Sequence, residues 1–186
     1  FNPSPDGITH NSIWFEDSGH AWAVGDFGKI LFWDGHNWMR QDSKTNEKLQ
    51  SVCFTDAYHG WAVGSNGCIL RFANNEWIDQ SINTNVNLSC IVISGDGDGW
   101  ICGDTILRLQ NNEWTVFPGQ ETLQFSEMSF TSTNDGWAVN KDQDLYHFNG
   151  ISWSEETNSN IIGALGHLSF SDPDHGHSPV ANAAAR

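Results

Sequence analysis

The chain has 186 residues, a hydrophobic fraction of 38%, 17% charged residues, and a net charge of −15 from 23 acids against 8 bases. A field of that sign repels nucleic-acid phosphates and anionic membrane surfaces. No apolar run approaches the ~18 residues of a membrane span, so the expected partners exclude nucleic acid and a membrane interior. The length allows a domain with a real core, and the start at Phe1 reads as a mature product or an excerpt of something longer.

From the N-terminus onward, one unit of about 39 residues is written four times. Its first tryptophan is Trp22, Trp61, Trp100 and Trp137, and its second is Trp38, Trp77, Trp114 and Trp153. A third anchor stands seven residues before each first tryptophan: Phe15, Phe54, Ile93 and Phe130. The expected units are residues 8–41, 47–80, 86–117 and 123–156, followed by a partial copy at 162–186 in which Phe170 repeats the anchor.

Each unit reads as four short strands. The first ends at the anchor, as in Leu49–Phe54 or Glu127–Phe130. A turn rich in Asp, Gly and His follows (EDSGH, TDAYHG, SGDGDG, STNDG), where short polar side chains hydrogen-bond their own backbone. The second strand is the W-A-V run, closed in the second unit by Ser65-Asn66-Gly67, a tight hairpin signal. The third is KILFW, CILRF, TILRL or DLYHF, and another turn (DGHN, ANNE, QNNE, NGIS) leads into the fourth, around the second tryptophan. In the fifth copy Pro179 interrupts the expected second strand, because proline cannot donate to a ladder.

Four antiparallel strands in roughly 40 residues, repeated, predict an all-β fold: a β-propeller of four complete blades and a stump, belonging to a larger ring or to one completed by another chain. The recurrent indoles then pack between blades. Burial of one removes about 150–250 Å² from water, which at about 25 cal/mol/Å² contributes roughly 4–6 kcal/mol before entropy, as an upper bound.

Candidate chemistry is sparse. The four cysteines (Cys53, Cys68, Cys90, Cys102) form no CxxC, which leaves a zinc site unsupported. Cys102 takes a valine's place in the repeat and reads as a small core residue; a Cys90–Cys102 disulfide across a hairpin near Asp96 is the alternative and would argue for an oxidising compartment. Asp17, Asp56 and Asp172 recur two residues after the anchor, and His20, His59 and His175 recur in the same turns, so both sets read as turn formers before acid–base groups. Asp96 and Asp98 lack the later ligands of a calcium loop, and the run from Asp172 to His177 has divalent-ion ligand types in an irregular segment. No metal and no cofactor is expected. Trp33, beside Asp34, His36 and Asn37, joins a ring to hydrogen-bonding groups, the combination a sugar site uses; a larger core residue is the plainer reading.

The stretches GWAVGSNGCIL (residues 60–70), AWAVGDFGKIL (21–31) and GWAVN (136–140) resemble the BNR-like propeller repeats of the photosystem II assembly-factor type. The turns DGHNW, NNEW and NGISW depart from that family's D-G-G-x-T-W and bring the chain nearer to tectonin-type lectin propellers. The first resemblance implies a non-enzymatic module recognising a partner protein in an extracytoplasmic setting. The second implies a glycan-binding lectin. A sialidase-like glycan hydrolase is the third reading, opposed by four scattered arginines, two tyrosines and no complete Asp box.

Overall fold

The computed structural model describes residues 9–82, 84–93, 98–120 and 122–157. These form sixteen strands and contain no α-helix. The first repeat holds β1 (His10–Phe15), β2 (Ala21–Gly25), β3 (Ile30–Trp33) and β4 (Trp38–Gln41); the second holds β5 (Leu49–Asp56), β6 (His59–Gly64), β7 (Ile69–Ala73) and β8 (Glu76–Asp79). The third holds β9 (Leu88–Ile93), β10 (Gly99–Gly103), β11 (Leu107–Gln110) and β12 (Glu113–Val116); the fourth holds β13 (Phe125–Ser132), β14 (Asp135–Asn140), β15 (Leu145–Phe148) and β16 (Trp153–Glu155). Each set is a four-stranded antiparallel sheet with strands in chain order, as the repeat predicts. The expected partial copy at 162–186 lies outside the described residues.

The anchors Phe15 and Ile93 end β1 and β9 as expected, whereas Phe54 and Phe130 do not end theirs. β5 and β13 run two residues further, with a register shift after Phe54 and after Phe130. A bulge there sharpens the strand's twist into the following turn.

The chain divides into two compact units, Phe1–Ile93 and Ser94–Arg186, and the same contact builds the core of each. In the first, the Trp22 ring stacks on Phe54 of the next sheet at 3.7 Å between centroids, with Phe32 and Phe72 beside it at 5.0 and 6.1 Å. In the second, Trp100 stacks on Phe130 at 5.4 Å and meets Phe148 at 4.9 Å. Strand register sets this up. One cross-strand row reads Phe54, Gly60, Phe72, Trp77, and its counterpart reads Phe130, Gly136, Phe148, Trp153.

The glycine in that row has a steric duty. A Cβ on Gly60 would lie 2.5 Å from the Phe54 ring, and Gly136 stands in the same relation to Phe130. Phe54 is buried between Trp22 and the Phe72–Trp77 pair, so its ring has nowhere to retreat. The first sheet carries Ala21 at the equivalent place, opposite Phe15, and Phe15 is 64% exposed. Ile13 and Trp38 are exposed as well, whereas their counterparts Val52 and Trp77 are buried.

No disulfide joins the four cysteines, so the Cys90–Cys102 bridge is not formed. Cys102 is buried in β10 as the valine-like core residue the repeat predicts. Burial pushes the Cys53 thiol up to about 11.

Two outcomes test this packing. Gly60→Ala is expected to lower unfolding free energy by about 1–3 kcal/mol through overpacking, and Phe54→Ala by about 3–5 kcal/mol. Phe15→Ala should stay within about 0.5 kcal/mol, all three measured by urea denaturation. Cys53 should resist a thiol reagent at pH ~8 in the native protein and react at once in denaturant, because the thiolate is the nucleophile.

Candidate functional site

The turns between the first and second strands of the first two repeats are built alike. Asp17 holds the His20 Nδ1 at 3.0 Å and accepts the Gly19 N–H at 2.6 Å. Asp56 holds the His59 Nδ1 at 2.9 Å and accepts the Tyr58 N–H at 2.7 Å. Hydrogen bonds, from the histidine first and the backbone second, keep both carboxyls below the usual aspartate value. These acids are turn braces, already engaged by their own loops. Asp172 and His175 to His177 fall outside the described residues, as does Asp96.

A second recurring arrangement lies over the first tryptophans. Each is paired across strands with the residue in the third strand: Trp61 with Arg71, Trp100 with Arg108, Trp137 with His147. The Arg108 guanidinium sits 5.0 Å over the Trp100 ring and bonds Asp98 at 2.9 Å. The His147 ring lies 4.4 Å from Trp137, and its Nε2 is 2.7 Å from Asp135. Thr131 donates its hydroxyl to the same carboxylate. Burial pushes Asp135 up, but the bonds from Thr131 and His147 outweigh it and leave the group below 3.8. Asp98 is thus engaged in an ion pair, and Arg71 and Arg108 are stacking partners of indoles. A cation over an indole contributes about 0.5–1 kcal/mol at such sites.

The expected sugar corner comes together at the β3–β4 turn. Asp34 accepts the N–H groups of His36 and Asn37 at 2.8 and 2.7 Å, and these bonds hold its carboxyl below the usual range. Gly35 takes the left-handed conformation that closes the turn (φ +89°). Trp33 donates its indole N–H to the Ser18 carbonyl and meets Trp38 at 5.6 Å between centroids. Asp34 is therefore occupied by the turn, while Trp33 is half-buried and Trp38 is 38% exposed. Of the other recurrent indoles, Trp22, Trp61, Trp77, Trp100 and Trp153 are buried, and Trp114 and Trp137 are part-buried.

Two exposed rings went unread in the sequence. Tyr58, in the β5–β6 turn, is 64% exposed. Phe27, between β2 and β3, is 69% exposed and has φ 57° and ψ 38°. Aligning GDFGK with GSNGC in the next repeat exposes the signal, since Phe27 stands where Asn66 does. Next to Gly28, the β4–β5 connection forms a shallow polar hollow lined by residues 40–46. Among the described residues no group of three His, Cys, Asp or Glu side chains is placed to hold a metal ion.

Four-stranded antiparallel sheets in chain order, joined by stacked aromatic rows, define a β-propeller fold, and solved structures agree. The chain is similar to YCF48 bound to a D1 peptide (15% identity, TM-score 0.68, covering 93% of this chain and 62% of that one). It is also similar to the WD40 β-propeller domain of Doa1 (13% identity, TM-score 0.70, covering 89% and 60%) and to YCF48 from Cyanidioschyzon merolae (15% identity, TM-score 0.63, covering 92% and 66%). The chain thus spans about three-fifths of the length of these neighbours. No protein-family model and no curated protein matches the sequence.

The Asp135 network has a signed pH dependence. Because the folded carboxyl lies below its ordinary 3.8, the stability it contributes is present above that value and disappears as pH falls through the lower folded one. Asp135→Asn should melt below wild type at pH ~7, with the gap narrowing as pH is lowered below 3.8; thermal unfolding across that range measures it.

Proposed function

We propose that this protein is a non-enzymatic β-propeller module that binds a protein partner, of the BNR-like assembly-factor type, acting outside the cytoplasm. The observation that carries the reading is the contrast between filled seams and bare turns. Large rings are stacked away between sheets, yet Tyr58 and Phe27 stand in solvent on turns fixed by backbone hydrogen bonds. Rigidly held aromatic side chains are the usual anchors of protein interfaces. Among the described residues the recurrent acids and histidines, Asp17 with His20 and Asp56 with His59, are turn braces, which favours recognition over chemistry. The neighbour YCF48 carries a D1 peptide, which fits a peptide-binding role.

A net charge of −15 would raise the on-rate for cationic segments and make it fall with salt. Further blades, in the same protein or supplied by another chain, would complete the ring. A lectin role is the second reading, favoured by one observation: the Trp33–Trp38 pair at an exposed, hydrogen-bonding turn.

Selection from a displayed peptide library is expected to yield binders with saturable, micromolar affinity, enriched in Lys and Arg. Absence of any peptide binder, with saturable glycan-array binding lost in Trp33→Ala, would establish the lectin instead.

A further inference from the structure

The β2–β3 turn holds one residue at odds with its backbone. In the second repeat the turn is Ser65-Asn66-Gly67-Cys68, closed by a Cys68 N–H to Ser65 carbonyl bond of 3.1 Å, with Asn66 at φ 56°, ψ 36° and Gly67 at φ 69°. Two successive left-handed residues are what a tight hairpin turn of this hand demands, and asparagine followed by glycine meets the demand at least strain. The first repeat makes the same turn with Asp26-Phe27-Gly28-Lys29. It is closed by Lys29 N–H to the Asp26 carbonyl at 3.2 Å, with Phe27 at φ 57°, ψ 38° and Gly28 at φ 64°. Only the residue differs. A bulky side chain in the left-handed region is strained, because its Cβ crowds the following carbonyl.

The surroundings do not allow Phe27 to relax. The Gly28 N–H bonds the Glu47 carbonyl at 2.8 Å, the Asp26 N–H bonds the Thr9 carbonyl at 3.1 Å, and Gly28 lies so close to Thr45 that no Cβ would fit. The fold gains little from the ring in return. It is 69% exposed, whereas Phe54, Phe72, Phe125 and Phe148 are buried. Two unfavourable features therefore meet at one residue: a strained backbone and an apolar ring in water. Retained strain of this kind clusters at ligand-contacting positions.

We infer that Phe27 is the anchor of an interface, a ring held out on a pre-set turn to enter an apolar pocket on a protein partner. The inference rests on the protein-binding reading above and assigns it to the end of the first unit that carries the β2–β3 turn. Two of the neighbouring acids are in ion pairs, Asp42 with Lys44 at 2.6 Å and Asp26 with Lys48 at 3.6 Å, and Glu47 accepts a bond from the neutral Asn66 amide at 2.8 Å. The pocket that receives the ring therefore faces a locally balanced rim, and the contact draws its strength from apolar burial. The partner surface is accordingly an apolar cavity of phenyl size rather than an acidic or basic patch.

The test uses Phe27→Asn, which places in the first repeat the residue that the second already uses. The variant should melt about 2–4 °C above wild type, because strain is relieved and little packing is lost. Small folded domains selected from a displayed library on wild-type protein alone should bind wild type at least tenfold more tightly than the variant. That difference should change little between about 50 and 300 mM salt. If the variant is no more stable than wild type, the ring serves the fold and the inference fails. If binders are found but hold the variant equally well, the partner docks elsewhere and the inference alone fails. If wild type yields no binder of any kind, the protein-binding reading falls and the anchor with it.

Discussion

The contact between an indole and the phenyl ring of the next sheet, Trp22 on Phe54 and Trp100 on Phe130, organises both units. It requires three things at once. The second strand must place a tryptophan in one row, the next repeat must place a phenylalanine seven residues before its own tryptophan, and the residue facing that phenylalanine must lack a side chain. Gly60 and Gly136 satisfy the last condition and let the ring lie flat against the strand. The 39-residue period is thus a packing rule: within each unit one repeat supplies the indole and the next supplies the phenyl ring.

With the seams closed by rings, the polar residues are left to shape the turns. Asp17, Asp34 and Asp56 each gather N–H groups of their own loops, and Asp98 and Asp135 bond the Arg108 guanidinium and the His147 ring that lie against indoles. Carboxylates used in this way are poor candidates for acid–base chemistry and good ones for rigidity. A rigid set of turns is what recognition needs, since little entropy is lost when a pre-set loop meets its partner. The functional reading follows from that division between filled seams and braced turns.

The spacing of the tryptophans was enough to predict the strand count, sheet order and buried rows, because a period-39 register tolerates few other solutions. Residue identity alone did not reveal which copies of a position are covered. Trp38 and Trp77 are interchangeable as letters, yet Trp77 rests against Phe54 and Phe72 and bonds Gln41, while Trp38 stays exposed beside Trp33. The candidate corner at Asp34 was legible as a cluster but not as a turn whose carboxylate is already engaged. Phe27 was hidden for another reason. A left-handed backbone leaves its mark as Asn or Gly, so a phenylalanine there reads as an ordinary strand residue until the hairpin itself is seen.

Ala21 carries a consequence of its own. Its methyl group occupies the place where Gly60 and Gly136 leave room for a phenyl ring, so the first repeat cannot present Phe15 flat to a preceding indole as the second and fourth present theirs. The copies are therefore not interchangeable tiles. A repeat packed on its leading side would have to seat Phe15 in another way than Phe54 and Phe130 are seated, so one methyl group gives that joint a geometry of its own.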